Sequence, residues 1–98
     1  MSLEGRADKR ALIAVPVYLR SEDRHTVERS VTVNLSSRGA RVLTKRRWEP
    51  KAEPHLVSLT GNLVLRARVV YCQPADAEYF YVGLKFPANL DNWRELLG

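Results

Sequence analysis

The chain has a single cysteine, Cys72, so no intramolecular disulfide is open to it. No apolar run approaches the roughly 18 residues that a membrane-spanning helix needs. With no secretory leader either, a reducing cytoplasm is the expected compartment and no membrane insertion is expected. Asn34-Leu35-Ser36 spells a glycosylation acceptor, a match without meaning in that compartment. Aromatic residues make up only 8% of the sequence, too few to line a stacking groove for single-stranded nucleic acid, and Tyr79 and Tyr81 are the evident exposed pair. Neither the Walker-type nor the dinucleotide-type glycine motif is present. His25 and His55 stand in polar surroundings with no Ser-His-Asp or Cys-His pattern around them, so nucleophilic catalysis lacks its parts and the chain does not read as an enzyme. Two histidines and one cysteine also lack zinc-ligand spacing. No metal and no cofactor is expected.

What the sequence does hold is enough for one domain and no more. Its 98 residues can build a single modest core. At 45% hydrophobic and 28% charged it is too apolar to stay disordered. Sixteen Lys and Arg against eleven Asp and Glu leave a formal charge of +5, which favours an anionic partner without choosing among anions.

Residues 1–10 are polar and basic without periodicity and read as a flexible arm. From Ala11 to Arg20 the pattern alternates, with Ile13, Val15, Val17 and Leu19 on one face of a half-buried strand. Pro16 cannot donate to a ladder and predicts a sheet edge or bulge there. Val27 to Leu35 is a second strand, with Val31, Val33 and Leu35 expected to share a face. Ser36 to Gly39 is a turn and Ala40 to Leu43 a third strand, followed by a charged surface loop, Lys45 to Pro54, that Trp48 anchors. Leu56 to Leu59 and Leu63 to Tyr71 flank Thr60-Gly61-Asn62, a loop whose glycine and asparagine tolerate positive φ. Arg66 and Arg68 fall opposite Leu65, Ala67 and Val69. Glu78 to Phe86 closes the set with Phe80, Val82, Leu84 and Phe86 in register. Asn89 then caps a short helix carrying Leu90, Trp93 and Leu97. The expected fold is all-β, six antiparallel strands in a barrel or sandwich with a short C-terminal helix leaning on it.

Two constellations carry chemistry. Arg6-Ala7-Asp8-Lys9-Arg10 puts two guanidinium groups four residues apart on the arm, and Asn34-Leu35-Ser36-Ser37-Arg38-Gly39 runs from a strand end into a turn. Together they resemble the two-part signature of the PilZ family, RxxxR followed after some twenty to thirty residues by [D/N]xSxxG. Arg68-Val69-Val70-Tyr71 and Val82-Gly83-Leu84-Lys85-Phe86 are similar to later strands of that family, so the resemblance covers almost the whole chain. Gly5 stands where some members that take a stacked ligand dimer carry a further arginine, which leans toward one ligand per domain.

The resemblance implies a six-stranded antiparallel β-barrel serving as a bacterial receptor for the second messenger cyclic di-GMP, with a downstream protein or adjoining domain as partner. Arg6 and Arg10 would grip guanine edges and phosphates while Asn34 and Ser36 receive the ligand on the barrel. Gly39 would let backbone approach closely or take a positive φ. Arginine suits such a ligand because its planar fork pairs with phosphate oxygens or guanine O6 and N7 and also stacks on a base. Tyr71 is a candidate for stacking on a guanine. Arg38, Arg41 and Lys9 are expected to be solvated, with Phe86 and Trp93 in the core. Two other functions stay open at this level: a PilZ-like protein-interaction adaptor that ignores nucleotide, and a small basic β-barrel that binds single-stranded nucleic acid.

Overall fold

The computed structural model describes residues 14–88. The expected arm, Ile13 and the expected C-terminal helix from Asn89 onward lie outside the described residues. Within them the chain forms seven strands: β1 Pro16–Arg20, β2 Val27–Leu35, β3 Gly39–Thr44, β4 His55–Ser58, β5 Val64–Arg66, β6 Arg68–Pro74 and β7 Phe80–Lys85. All pair antiparallel in one sheet of order β5-β4-β1-β2-β3-β7-β6.

The strand count is seven rather than six because the stretch read as one strand from Leu63 to Tyr71 changes partner in its middle. Val64–Arg66 pairs with β4, whereas Arg68–Pro74 pairs with β7. Between them the Ala67 amide donates to the Pro54 carbonyl at 3.0 Å. Val69 donates to Ala52 and Lys51 donates to Val69, both at 2.8 Å. These bonds join the two ends of the sheet where β5 runs into β6, and so curl it into a barrel with one inner face.

That inner face follows the alternation of the strands. Val15, Val17 and Leu19 from the first strand region meet Leu56, Leu65, Val69, Val42, Val82 and Leu84, all buried. Pro16 stands at the first residue of β1, a strand with neighbours on both sides, and not at a sheet edge or bulge. The first position of a strand is another place where a missing ladder donor is tolerated. Beside it the Val15 amide is met by the Thr32 hydroxyl at 3.0 Å, while Thr32 donates its own amide to the Val15 carbonyl.

Thr32 also corrects the expected facing of β2. It is buried, whereas Val31 and Val33 are only half-buried and share no face with Leu35. A register shift between Thr32 and Asn34 leaves Val33 as an extra residue against β3. A β-bulge of this kind lets the strand change which parity points inward. Ser30 and Thr32 face in before it and Leu35 after it.

Glu28, on the inward parity at the far end of β2, holds the loop between β3 and β4. One carboxylate oxygen accepts the Lys45 and Arg46 amides, and the other accepts the Trp48 indole N–H at 3.0 Å. Trp48 is thereby seated in the core, as its anchoring role required. Glu28→Ala is expected to lower the free energy of unfolding by about 2–3 kcal/mol, since three donors lose a charged acceptor at once. Glu28→Gln, which keeps one acceptor oxygen, is expected to cost about half of that. Urea denaturation of both variants checks the ordering.

Candidate functional site on the outer sheet face

The motif turn begins at the β2 bulge. Because Val33 is looped out, Asn34 emerges on the outside of the barrel, opposite Arg41 in β3, while Leu35 turns in opposite Ala40. Ser36 then closes the turn: its amide donates to the Gly39 carbonyl at 2.9 Å and its hydroxyl accepts the Arg38 amide at 3.2 Å. This is a Ser-turn, in which a side-chain oxygen substitutes for a backbone acceptor. Ser36 is buried and Arg38 exposed. The Arg38 carbonyl in turn accepts the Phe86 amide at 2.8 Å, which pins the turn to the end of β7.

Of the five residues singled out from the sequence, Asn34, Ser36 and Gly39 come together here, and Arg6 and Arg10 lie outside the described residues. Of the two reasons weighed for Gly39, close approach is the one that holds. Its φ is not positive; among the described glycines it is Gly61, in the β4–β5 loop, that has one, at 79°. A β-carbon at Gly39 would overlap the Leu84 carbonyl oxygen of the neighbouring strand.

Ladder register extends the site across four strands. Asn34 pairs with Arg41, Arg41 with Gly83, and Gly83 with Tyr71. Gly83 leaves room that the Tyr71 ring fills, since a β-carbon there would overlap three atoms of that ring. The half-buried tyrosine therefore lies over the glycine on the outer face. A second bulge, at Val70, gives Tyr71 this outward parity. The neighbouring row toward the turn holds Gly39, Lys85 and Arg68. These two rows and the turn carry Arg38, Arg41, Lys85 and Arg68 with no carboxylate among them. Four strands span roughly 14 Å at the usual spacing, wide enough for a ligand with more than one anionic group.

Arg41 departs from the solvated position expected of it. Its guanidinium lies 4.2 Å from the centroid of the Tyr81 ring, and Lys45 lies 5.9 Å from that of Tyr79. Cation–π contact of this kind holds a charge over the sheet without neutralising it. Both tyrosines of the pair that looked exposed thus carry a cation. The Arg41 Nε is shielded from solvent and has no hydrogen-bond partner among the described residues. The missed signals were parity ones: Arg41 lies two residues from Gly39, and Gly83 lies opposite both Arg41 and Tyr71 once pairing is known.

Among the described residues no three His, Cys, Asp or Glu side chains cluster to hold a metal, and no helix is long and apolar enough to cross a membrane. A family model for the PilZ domain matches residues 4–97. The chain belongs to the PilZ domain family. No curated protein matches it. PilZ domains are β-barrel receptor and adaptor domains, and the curled antiparallel sheet described above is that fold.

The two glycines of this PilZ face are expected to respond differently to alanine. Gly39→Ala should cost about 3 kcal/mol, because the obstacle is a backbone carbonyl that cannot swing aside. Gly83→Ala should cost about 1–2 kcal/mol in the natural sequence and much less in a Tyr71→Ala background, where the ring is gone. A double-mutant cycle by chemical denaturation reads this coupling.

Proposed function

We propose that this PilZ protein is a receptor for cyclic di-GMP that binds without catalysis, working in the bacterial cytoplasm and passing the signal to a downstream protein or adjoining domain. The observation that carries the reading is the row Asn34–Arg41–Gly83–Tyr71, flanked by Lys85 and Arg68, with no carboxylate among these six residues. A ligand with two phosphates and two guanines matches its parts: cations for the phosphates, an amide for a base edge, and a tyrosine ring for stacking.

In this mechanism the barrel supplies a rigid surface and the arm of residues 1–10 closes over it. Arg6 and Arg10 reach guanine edges and phosphates, Asn34 meets the ligand at the rim, and Ser36 and Gly39 shape the turn. Ser36 contributes through the turn it clamps as well as through any free valence of its hydroxyl. The Tyr71 ring stacks on a guanine, and Gly83 keeps that ring low on the sheet. Closing of the arm changes the surface offered to a partner, which is how binding becomes a signal. The tyrosines at positions 79 and 81 are each engaged by a cation, which favours this reading over stacking on single-stranded nucleic acid.

Isothermal titration with cyclic di-GMP at physiological salt should give saturable heat that neither GTP nor cyclic AMP suppresses at similar concentration. Arg10→Ala should leave the melting temperature nearly unchanged yet weaken binding by about 2–5 kcal/mol, the usual loss for one partner of a desolvated charge pair. Arg10→Lys should recover only part of this, because charge returns and the planar fork does not. Ser36→Ala should cost about 1–2 kcal/mol of binding, with a small loss of stability from the released Arg38 amide. Unchanged affinity in all three folded variants would move the site elsewhere, and no heat at all would favour the adaptor reading.

A further inference from the structure

A second positive row crosses the outer face at the other end of β2. Val27, which pairs with Arg20, is seven residues from Asn34, about 23 Å along a strand. Arg20 on β1 pairs with His55 on β4, and His55 pairs with Arg66 on β5. Leu19, Leu56 and Leu65, one residue away on each strand, all point into the core, so the three basic side chains share the outer face. At a spacing of about 4.8 Å per strand they stand within roughly 10 Å of one another.

Among the described residues little satisfies them. The Arg20 Nε and the His55 Nδ1 are both shielded from solvent and lack a hydrogen-bond partner among the described residues. These two unpartnered nitrogens on directly paired residues show that the described groups hold neither side chain in place, and a ligand would be met by the guanidinium ends and the imidazole Nε2. The nearby acids do not supply partners: Glu22 acts on His55 through its charge without a hydrogen bond to it among the described residues. Asp23 is occupied by the Ser21 hydroxyl at 2.6 Å and the His25 amide at 2.9 Å. Glu53 reaches only Arg66, at 3.7 Å and well exposed. The loop that bears Asp23 is closed by the Ser21 amide on the Thr26 carbonyl and by the Arg24 amide on the Ser21 carbonyl. Arg24 itself sits at φ 67°, and its charge adds to the field at His55.

We propose that Arg20, His55 and Arg66 form a second anion site, separate from the motif face, that takes the phosphate of a phosphate ester. A tetrahedral phosphate accepts the arginine forks from either side and an imidazole N–H between them, a geometry that carboxylates on the protein do not reproduce. Val27 and Val64 are exposed beside the row, so the phosphate can belong to a free small molecule or to a lipid headgroup.

Protonation is built into this site. Burial, then the Arg20, Arg66 and Arg24 charges, hold the His55 imidazole below its ordinary range, with Glu22 opposing them. A bound dianion offsets that field and raises the imidazole again. Binding therefore takes up a proton, and affinity falls as pH rises through the range in which the bound imidazole titrates. Without ligand the sign for stability is the opposite of that of a paired histidine. The unfolded chain holds more protons on this residue, so stability is lost as pH falls below about 6.5.

The test is a titration of the whole protein with inorganic phosphate, and with sulfate, which stays dianionic across the pH range used, each replacing chloride at constant ionic strength. The His55 imidazole and backbone amides are followed by NMR. The expected result is saturable shifts at Arg20, His55 and Arg66, a rise in the His55 pKa on sulfate binding, and unmoved amides at Asn34 and Gly83. Arg66→Ala and Arg20→Gln should each weaken binding at least tenfold. If free phosphate does not saturate, retention on vesicles containing phosphatidic acid, lost in Arg66→Ala, assigns the phosphate to a lipid and still supports the site. Spectra that are the same in chloride, phosphate and sulfate, with no Arg66-dependent vesicle binding, overturn it. So does saturable binding that folded Arg20→Gln and Arg66→Ala leave unchanged.

Discussion

Val33 is the extra residue that lets β2 change faces, and the candidate surface depends on it. Before the bulge Ser30 and Thr32 fill the barrel; after it Leu35 does, and Asn34 turns outward to Arg41. Without that insertion Leu35 would face solvent and Asn34 would enter the core as an amide lacking partners, an arrangement that costs on both counts. Register at a half-buried strand is set by which residues must be inside. Here the need to bury Leu35 is what carries Asn34 out. The Val70 bulge in β6 does the same for Tyr71 at the other side of the surface. Two irregularities on strands that flank β3 and β7 thus assemble one row of side chains from four strands.

The packing of that surface depends on the side chains that two glycines lack. Gly39 admits the Leu84 carbonyl, and Gly83 admits the Tyr71 ring. Arg41 is held low by the Tyr81 ring. Among the described residues Arg41 is positioned by a ring contact and not by an ion pair, so that contact leaves its positive charge in place. The barrel beneath is braced from its ends, by the Ser36 turn bonded to Phe86 and by Glu28 gathering the β3–β4 loop and Trp48. A surface fixed in this way loses little freedom when a ligand arrives, and that freedom is one of the main costs of binding.

Much of this was legible in the chain of residues. Alternation of Val15, Val17 and Leu19, and of Phe80, Val82, Leu84 and Phe86, reports strands with one wet face. The family resemblance drawn from the order and spacing of the two motifs agrees with the PilZ match over residues 4–97. The facing of β2 was not legible, because a single valine inserted among valines leaves the apolar pattern looking regular: Val31, Val33 and Leu35 alternate on paper and not in space. The break at Ala67 was hidden for a related reason. Both halves of the Leu63–Tyr71 stretch alternate in phase, and only pairing tells that they serve different neighbours. Arg41 and Gly83 carried no local mark either, since their meaning lies in which residues stand opposite them.

The row Asn34–Arg41–Gly83–Tyr71 as a ligand face is the central claim. Amide resonances recorded during titration with cyclic di-GMP test it most directly. The account predicts saturable changes at those four residues and at Lys85 and Arg68, with the amides of Arg20, His55 and Arg66 left in place. Changes confined to other strands, or a spectrum that does not move at saturating ligand, would contradict it.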